Sequence, residues 1–202
     1  FLHFGSISLL QDPAATRIAD LVAANRGQRV VVFDPNVRPS LITDMAAYRQ
    51  RVAGWFGMAD LVKLSDEDAA LLAPGQPVDA LAADCLAAGA RAVIVTRGGD
   101  GATLWRDGRA PITVAAPRVE VVDTIGAGDT FTAGLSVSLL AHGVERPEQL
   151  GELGDDAWRE VMAFAATAAA LNCTREGADP PTLEAVHAAL AKEENTAVAS
   201  RS

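Results

Sequence analysis

The sequence is poor in the residues that build most metal and disulfide sites. It holds two cysteines, Cys85 and Cys173, far apart and in no metal-ligand spacing. A reduced pair in a cytoplasmic protein is therefore expected, and not a disulfide. The three histidines, His3, His142 and His187, are scattered, which argues against a histidine-built metal centre or catalytic triad. Basic residues number 17 against 26 acidic ones, for a net charge of −9. No basic block interrupts that balance, so neither nucleic acid nor an anionic membrane is an expected partner. No apolar run reaches the length of a membrane span. Residues 1–10 are apolar but lack the basic start and the small-residue cleavage site of a signal peptide.

What is present suits one domain with a substantial core, because half of the 202 residues are apolar. Near-continuous apolar strands are expected at 29–33, 60–64 and 91–95, after a first strand in 1–7. Runs of that kind mark a parallel sheet covered on both faces. Helices alternate with them: 13–25, with Asp12 to cap it and Pro13 to open it, then 44–56 and 78–88. Residues 102–106 and 109–115 read as a hairpin at the sheet edge, turned by Gly108. After a polar connection expected at 147–156, later helices are expected at 158–171, rich in alanine for close packing or for a flat ring, and from Thr182 to Ala191. Residues 192–202 read as a disordered tail.

Polar residues gather where the strands end, the place at which open α/β sheets bind ligands. Asp34-Pro-Asn-Val-Arg-Pro39 follows the second strand, and is either a proline-rich turn or part of a site. Ser65-Asp-Glu-Asp68 follows the third and fits a capping box with its acid shortened to Asp. Thr96-Arg-Gly-Gly-Asp-Gly101 follows the fourth.

The longest motif is Asp123-Thr-Ile-Gly-Ala-Gly-Asp129. A short strand is expected at 119–122, and Phe131, Leu135 and Leu139 behind the motif mark one face of a helix. Gly126 and Gly128 allow the backbone to approach a ligand, and the start of a helix offers unpaired N–H groups to an anion. Asp129 either complements the helix dipole or takes a proton from a hydroxyl that attacks a phosphate. No Lys-Ser/Thr follows the last glycine, so this is not a Walker A loop. The third glycine of a dinucleotide fingerprint would fall on Phe131, so it is not that either.

The run from Asp123 to Asp129, with Phe131 and Ala133-Gly134 behind it, resembles the C-terminal signature of the ribokinase-like (PfkB) carbohydrate kinases. Asp34-Pro-Asn-Val-Arg38, Ser65-x-x-Asp68 and Thr96-x-Gly-x-x-Gly101 match further family motifs in family order. The resemblance implies a ribokinase-like three-layer α/β/α sandwich with a mostly parallel sheet over residues 1–191, the N-terminal part and the lid lying outside the chain. It implies an ATP-dependent sugar kinase, with fructose first among the acceptors, 2-keto-3-deoxygluconate second and ribose or a nucleoside third. A catalytically weak nucleotide- or sugar-binding module is the alternative of another class.

In that family Asp129 would be the base, with Gly126, Ala127 and Gly128 as the anion hole. Lys63, Ser65, Thr96, Gly98, Gly101 and Asn172 would contact ATP. Arg38, with Asp129, would meet the sugar. Asp68 or Glu67 would help to hold Mg2+ through water, where the family has Glu at the position of Asp68. Asp123 and Ile125 match a monovalent-cation (K+) site of some relatives. The expected partners are ATP and a small sugar, with a homodimer formed through the lid region.

Overall fold

The computed structural model describes residues 1–199, and side chains through residue 192. The chain divides into two compact units. The first comprises Phe1–Arg97, Thr103–Thr113 and Val144–Leu153; the second comprises Gly98–Ala102, Val114–Gly143 and Gly154–Ser202.

Among the described residues one mixed, mostly parallel sheet has six strands in the order β1-β2-β3-β4-β5-β6. They are β1 (Leu2–Gly5), β2 (Val31–Asp34), β3 (Leu61–Ser65), β4 (Ala92–Thr96), β5 (Ala102–Trp105) and β6 (Ile112–Val114). β1 to β4 run parallel, and the registers Gly5↔Asp34 and Ser65↔Thr96 bring pairs of strand ends level. Between them run α1 (Ala14–Asn25), α2 (Met45–Phe56), α3 (Asp66–Leu72) and α4 (Val78–Ala88). This is the α/β architecture that the alternating pattern predicts.

Local chemistry accounts for the element boundaries. The Asp12 carboxylate accepts from the N–H and the hydroxyl of Thr16 and so secures the first turn of α1. Gly27 follows that helix in the left-handed region, at φ 74°. Asp44 caps α2 by accepting from Ala47 N–H. Val31, Val32 and Phe33 are buried in sequence, as strands covered on both faces require. Phe33 stacks on Phe4 at 4.8 Å and meets the edges of Trp55 and Phe56, each at 5.9 Å between centroids. Cys85 lies wholly buried in this same core and is a free thiol, as is Cys173.

The second unit contains α5 (Ala127–Ala141), α7 (Asp155–Cys173) and α8 (Leu183–Ala199); the short α6 (Gln149–Glu152) belongs to the first. The alanines of α7 serve close helix packing. A Cβ added to Gly134 of α5 would lie 3.0 Å from Ala165 Cα, so the two backbones nearly touch. Phe164, Ala168 and Val186 form a small core between α7 and α8.

Three expectations require correction. Residues 119–122 form no strand, and Val121 and Val122 are exposed at 59% and 61%. Val122 N–H instead donates to Cys173 O, at a helix end. The polar connection expected at 147–156 contains α6 and the start of α7. The last helix passes Ala191 to Ala199, because 192–199 holds helix formers and neither Gly nor Pro. Of the expected tail, residues 200–202 lie outside the described residues.

Candidate active site

Each unit carries one cluster of the residues singled out by the sequence. In the second unit, Gly126 sits at φ 78° directly before α5. A Cβ there would fall 2.8 Å from that of Ala178, so both conformation and space call for glycine. The first intrahelical bond is Thr130 N–H to Gly126 O, at 2.8 Å. Ala127 N–H donates to Thr124 O; among the described residues Gly128 and Asp129 N–H have no intrahelical acceptor, and no side chain caps the turn. Asp129 is exposed in this first turn. Among the described residues its carboxylate has no hydrogen-bond partner.

The loop leading to Gly126 is held from behind. One Asp123 carboxylate oxygen accepts Ile125 N–H at 3.0 Å and the other Gly177 N–H at 2.9 Å. The bond from Ile125 and then that from Gly177 hold this carboxyl below the usual aspartate range, against a smaller effect of burial. Asn172, on the last turn of α7, is fully buried. Its amide donates to Ile125 O at 2.8 Å, and its oxygen accepts the Thr130 hydroxyl at 3.3 Å. Asn172 is thus a buried brace of the loop, with both ends of its amide in use. Gly101, expected beside ATP, is buried at φ 91°, where a Cβ would meet Val114 O at 2.0 Å. Gly98 is exposed in a short 3-10 turn, Gly98–Asp100.

In the first unit the cluster lies at the carboxyl ends of β2, β3 and β4. Lys63 and Asp34 form a buried ion pair of 3.0 Å, their side chains 5% and 3% exposed. Lys63 therefore has its ammonium buried against Asp34, away from solvent. Ser65 and Asp68 form the expected capping box at the start of α3. Asp68 is also buried, and its second oxygen accepts Val37 N–H at 2.8 Å. Beneath these acids lies Tyr48, whose hydroxyl is pushed up to about 12 by burial first and then by the charges of Asp68 and Asp34. Thr96 Oγ1 donates to Leu64 O at 3.3 Å. Two expected residues face outward: Glu67, exposed in the first turn of α3, and Arg38, whose Nη1 donates to the carbonyls of Asn36 and Val37. Among the described residues no three or more His, Cys, Asp or Glu group as a metal-binding set.

Asp34 as the partner of Lys63 is missing from the sequence reading. The available signal is a lysine inside the apolar strand Leu61-Val-Lys-Leu64, since a buried charge requires a counter-charge.

A model of the pfkB family carbohydrate kinases matches residues 1–185. The chain belongs to this family. Among its pfkB relatives, a fructokinase of Rhizobium leguminosarum bv. trifolii is 39% identical over 78% of this chain and 48% of its own length. A fructokinase of Klebsiella pneumoniae is 36% identical over 88% of this chain and 56% of its own. The chain thus spans about half the length of the curated relatives that it matches. Of solved structures, the Xylella fastidiosa fructokinase with bound ATP superposes with a TM-score of 0.87 at 25% identity, over 96% of this chain and 62% of the other. A Vibrio cholerae fructokinase double mutant bound to fructose, ADP and potassium ion gives 0.81 at 26% identity, over 93% and 59%. Among the described residues no helix is long and apolar enough to cross a membrane.

Proposed function

We propose that this pfkB chain carries the phosphoryl-transfer centre of an ATP-dependent sugar kinase whose acceptor is fructose. One observation carries the reading: an exposed carboxylate, Asp129, without a partner among the described residues, stands in the first turn of a helix that opens on left-handed Gly126. Gly128 and Asp129 N–H groups are free to meet the oxygens of a terminal phosphate. Asp129 receives the proton as the sugar O–H bond breaks. The sugar oxygen bonds to the γ-phosphorus before that proton has fully left it, while the bond from that phosphorus to the bridging oxygen of ADP breaks. A late proton transfer lets a weak base suffice. Fructose is favoured because the relatives named above are fructokinases, one of them with fructose and ADP bound.

A divalent cation bound with ATP would supply charge neutralisation on the phosphates. Glu67 is the acid exposed to meet it, since both Asp68 oxygens already accept backbone N–H groups. For a monovalent cation the residues fit less well. Both Asp123 oxygens accept N–H groups and Ile125 O accepts from Asn172, so no step is drawn from potassium.

The test is ADP release measured with fructose, 2-keto-3-deoxygluconate and ribose as acceptors. Asp129→Asn should lower turnover about a hundredfold, within the range of general-base catalysis, with ATP affinity little changed. Near-normal turnover removes Asp129 as the base. ATP binding without turnover of any sugar supports a binding module instead.

A further inference from the structure

Loop 34–38 is tied down at every backbone turn by groups beneath it. Asp34 Oδ2 meets Lys63 Nζ at 3.0 Å, and Oδ1 accepts Asn36 N–H at 3.2 Å. Asn36 takes a left-handed conformation, φ 40°, which that bond helps to hold. Pro35 O accepts Ser6 N–H at 3.1 Å. A Cβ at Gly5 would strike Asp34 O at 1.7 Å, so the end of β1 closes directly on the loop. Asp68 completes the fastening across 31 residues of sequence, one oxygen on Val37 N–H and the other on Ser65 N–H at 3.1 Å. What this framework presents outward is Arg38.

We propose that Lys63, Ser65 and Asp68 form a clamp that fixes loop 34–38 so that Arg38 is presented to the acceptor sugar, and that Asp68 is a positioning residue, not a magnesium ligand. The proposal rests on the kinase reading above. A water-bridged metal needs a carboxylate with accessible lone pairs; Asp68 is 6% exposed and accepts an N–H at each oxygen. An ammonium that touches phosphate needs a solvent-facing end, and Lys63 is buried against Asp34.

Two variants separate clamp from ligand. Asp68→Asn must turn an amide NH2 toward one of two N–H donors and so loses one bond. Asp68→Glu keeps the acid but moves it by one methylene. A clamp predicts that either raises the sugar KM about tenfold or more, as the loss of a buried charge-assisted bond implies. The ATP KM and the Mg2+ activation midpoint should then stay within about twofold. It also predicts faster hydrogen exchange at the Val37 amide, a readout independent of activity. A Mg2+ midpoint raised several-fold in Asp68→Asn and restored in Asp68→Glu, with the sugar KM unchanged, overturns the proposal. So does unchanged exchange at Val37. Should Asp68→Asn not fold, Asp68→Glu alone decides by the same three measurements. A wild-type protein that phosphorylates no sugar refutes the kinase reading and with it the role of Arg38, while exchange at Val37 still decides whether the clamp exists.

Discussion

Replacing Asn172 should loosen the approach to α5 more than any other single change in the second unit. The side chain is fully buried and spends both ends of its amide, on Ile125 O at 2.8 Å and on the Thr130 hydroxyl at 3.3 Å. Alanine leaves a carbonyl and a hydroxyl without those partners. Each unsatisfied buried group costs about 1–3 kcal/mol, with the longer Thr130 bond at the lower end. A loss of about 3 kcal/mol is therefore expected, a large share of the roughly 5–15 kcal/mol that holds a domain folded. Asn172→Asp sharpens the test. It has nearly the same size but sets a second acceptor against Ile125 O, so it should harm as much as alanine. Urea unfolding by circular dichroism gives the midpoint, and an unchanged slope identifies a true stability change. Amide exchange at 123–126 should quicken in both variants. If Asn172→Asp stays within about 0.5 kcal/mol of wild type, the residue merely fills space and the brace is refuted.

Two further outcomes follow from local geometry. Gly101→Ala should destabilise by at least about 2 kcal/mol in thermal or urea melts, since φ 91° disfavours a side chain and a Cβ would sit 2.0 Å from Val114 O; a neutral result would mean that the turn re-forms at no cost. Burial, and secondarily the charge of Asp84, pushes the Cys85 thiol up to about 12. Burial and then Asp123 raise the half-buried Cys173 less far. Thiolate is the reactive form, so an aromatic disulfide reagent at pH 8 should label Cys173 slowly and Cys85 only after unfolding. Two thiols reacting together in the native protein would contradict the placement of Cys85.

Much of this was legible because the signals are local. The run Arg29-Val-Val-Val-Phe33 places a buried strand, observed as β2. Ser65 and Asp68 announce a capping box, and both of its bonds form. The glycines of 126 and 128 place a helix start, observed at Ala127. What was illegible depends on residues far apart. Nothing near Asp68 indicates a bond to Val37 N–H, 31 residues earlier. Val121 and Val122 have strand-like chemistry but no strand to pair with, and Cys173 O takes the Val122 N–H. Helix α8 passes its expected end because the polar residues after Ala191 are good helix formers, and polarity alone does not end a helix.

Residue type does not separate the exposed polar groups of this chain from its buried scaffold; burial does. Parallel register levels Gly5 with Asp34 and Ser65 with Thr96, so polar residues collect at one edge whatever their task. Of the first unit's candidates, Lys63, Asp34 and Asp68 are buried and satisfied by one another or by backbone N–H groups, whereas Arg38 and Glu67 remain exposed. The second unit divides in the same way, with Asn172 buried and spent on the loop and Asp129 exposed, without a partner among the described residues. A buried polar group must be satisfied before folding is favourable, and once satisfied it has little capacity left for a ligand. Substitutions of the buried set should therefore act first on stability and loop order, and those of Arg38, Glu67 and Asp129 on turnover and substrate affinity with the fold intact.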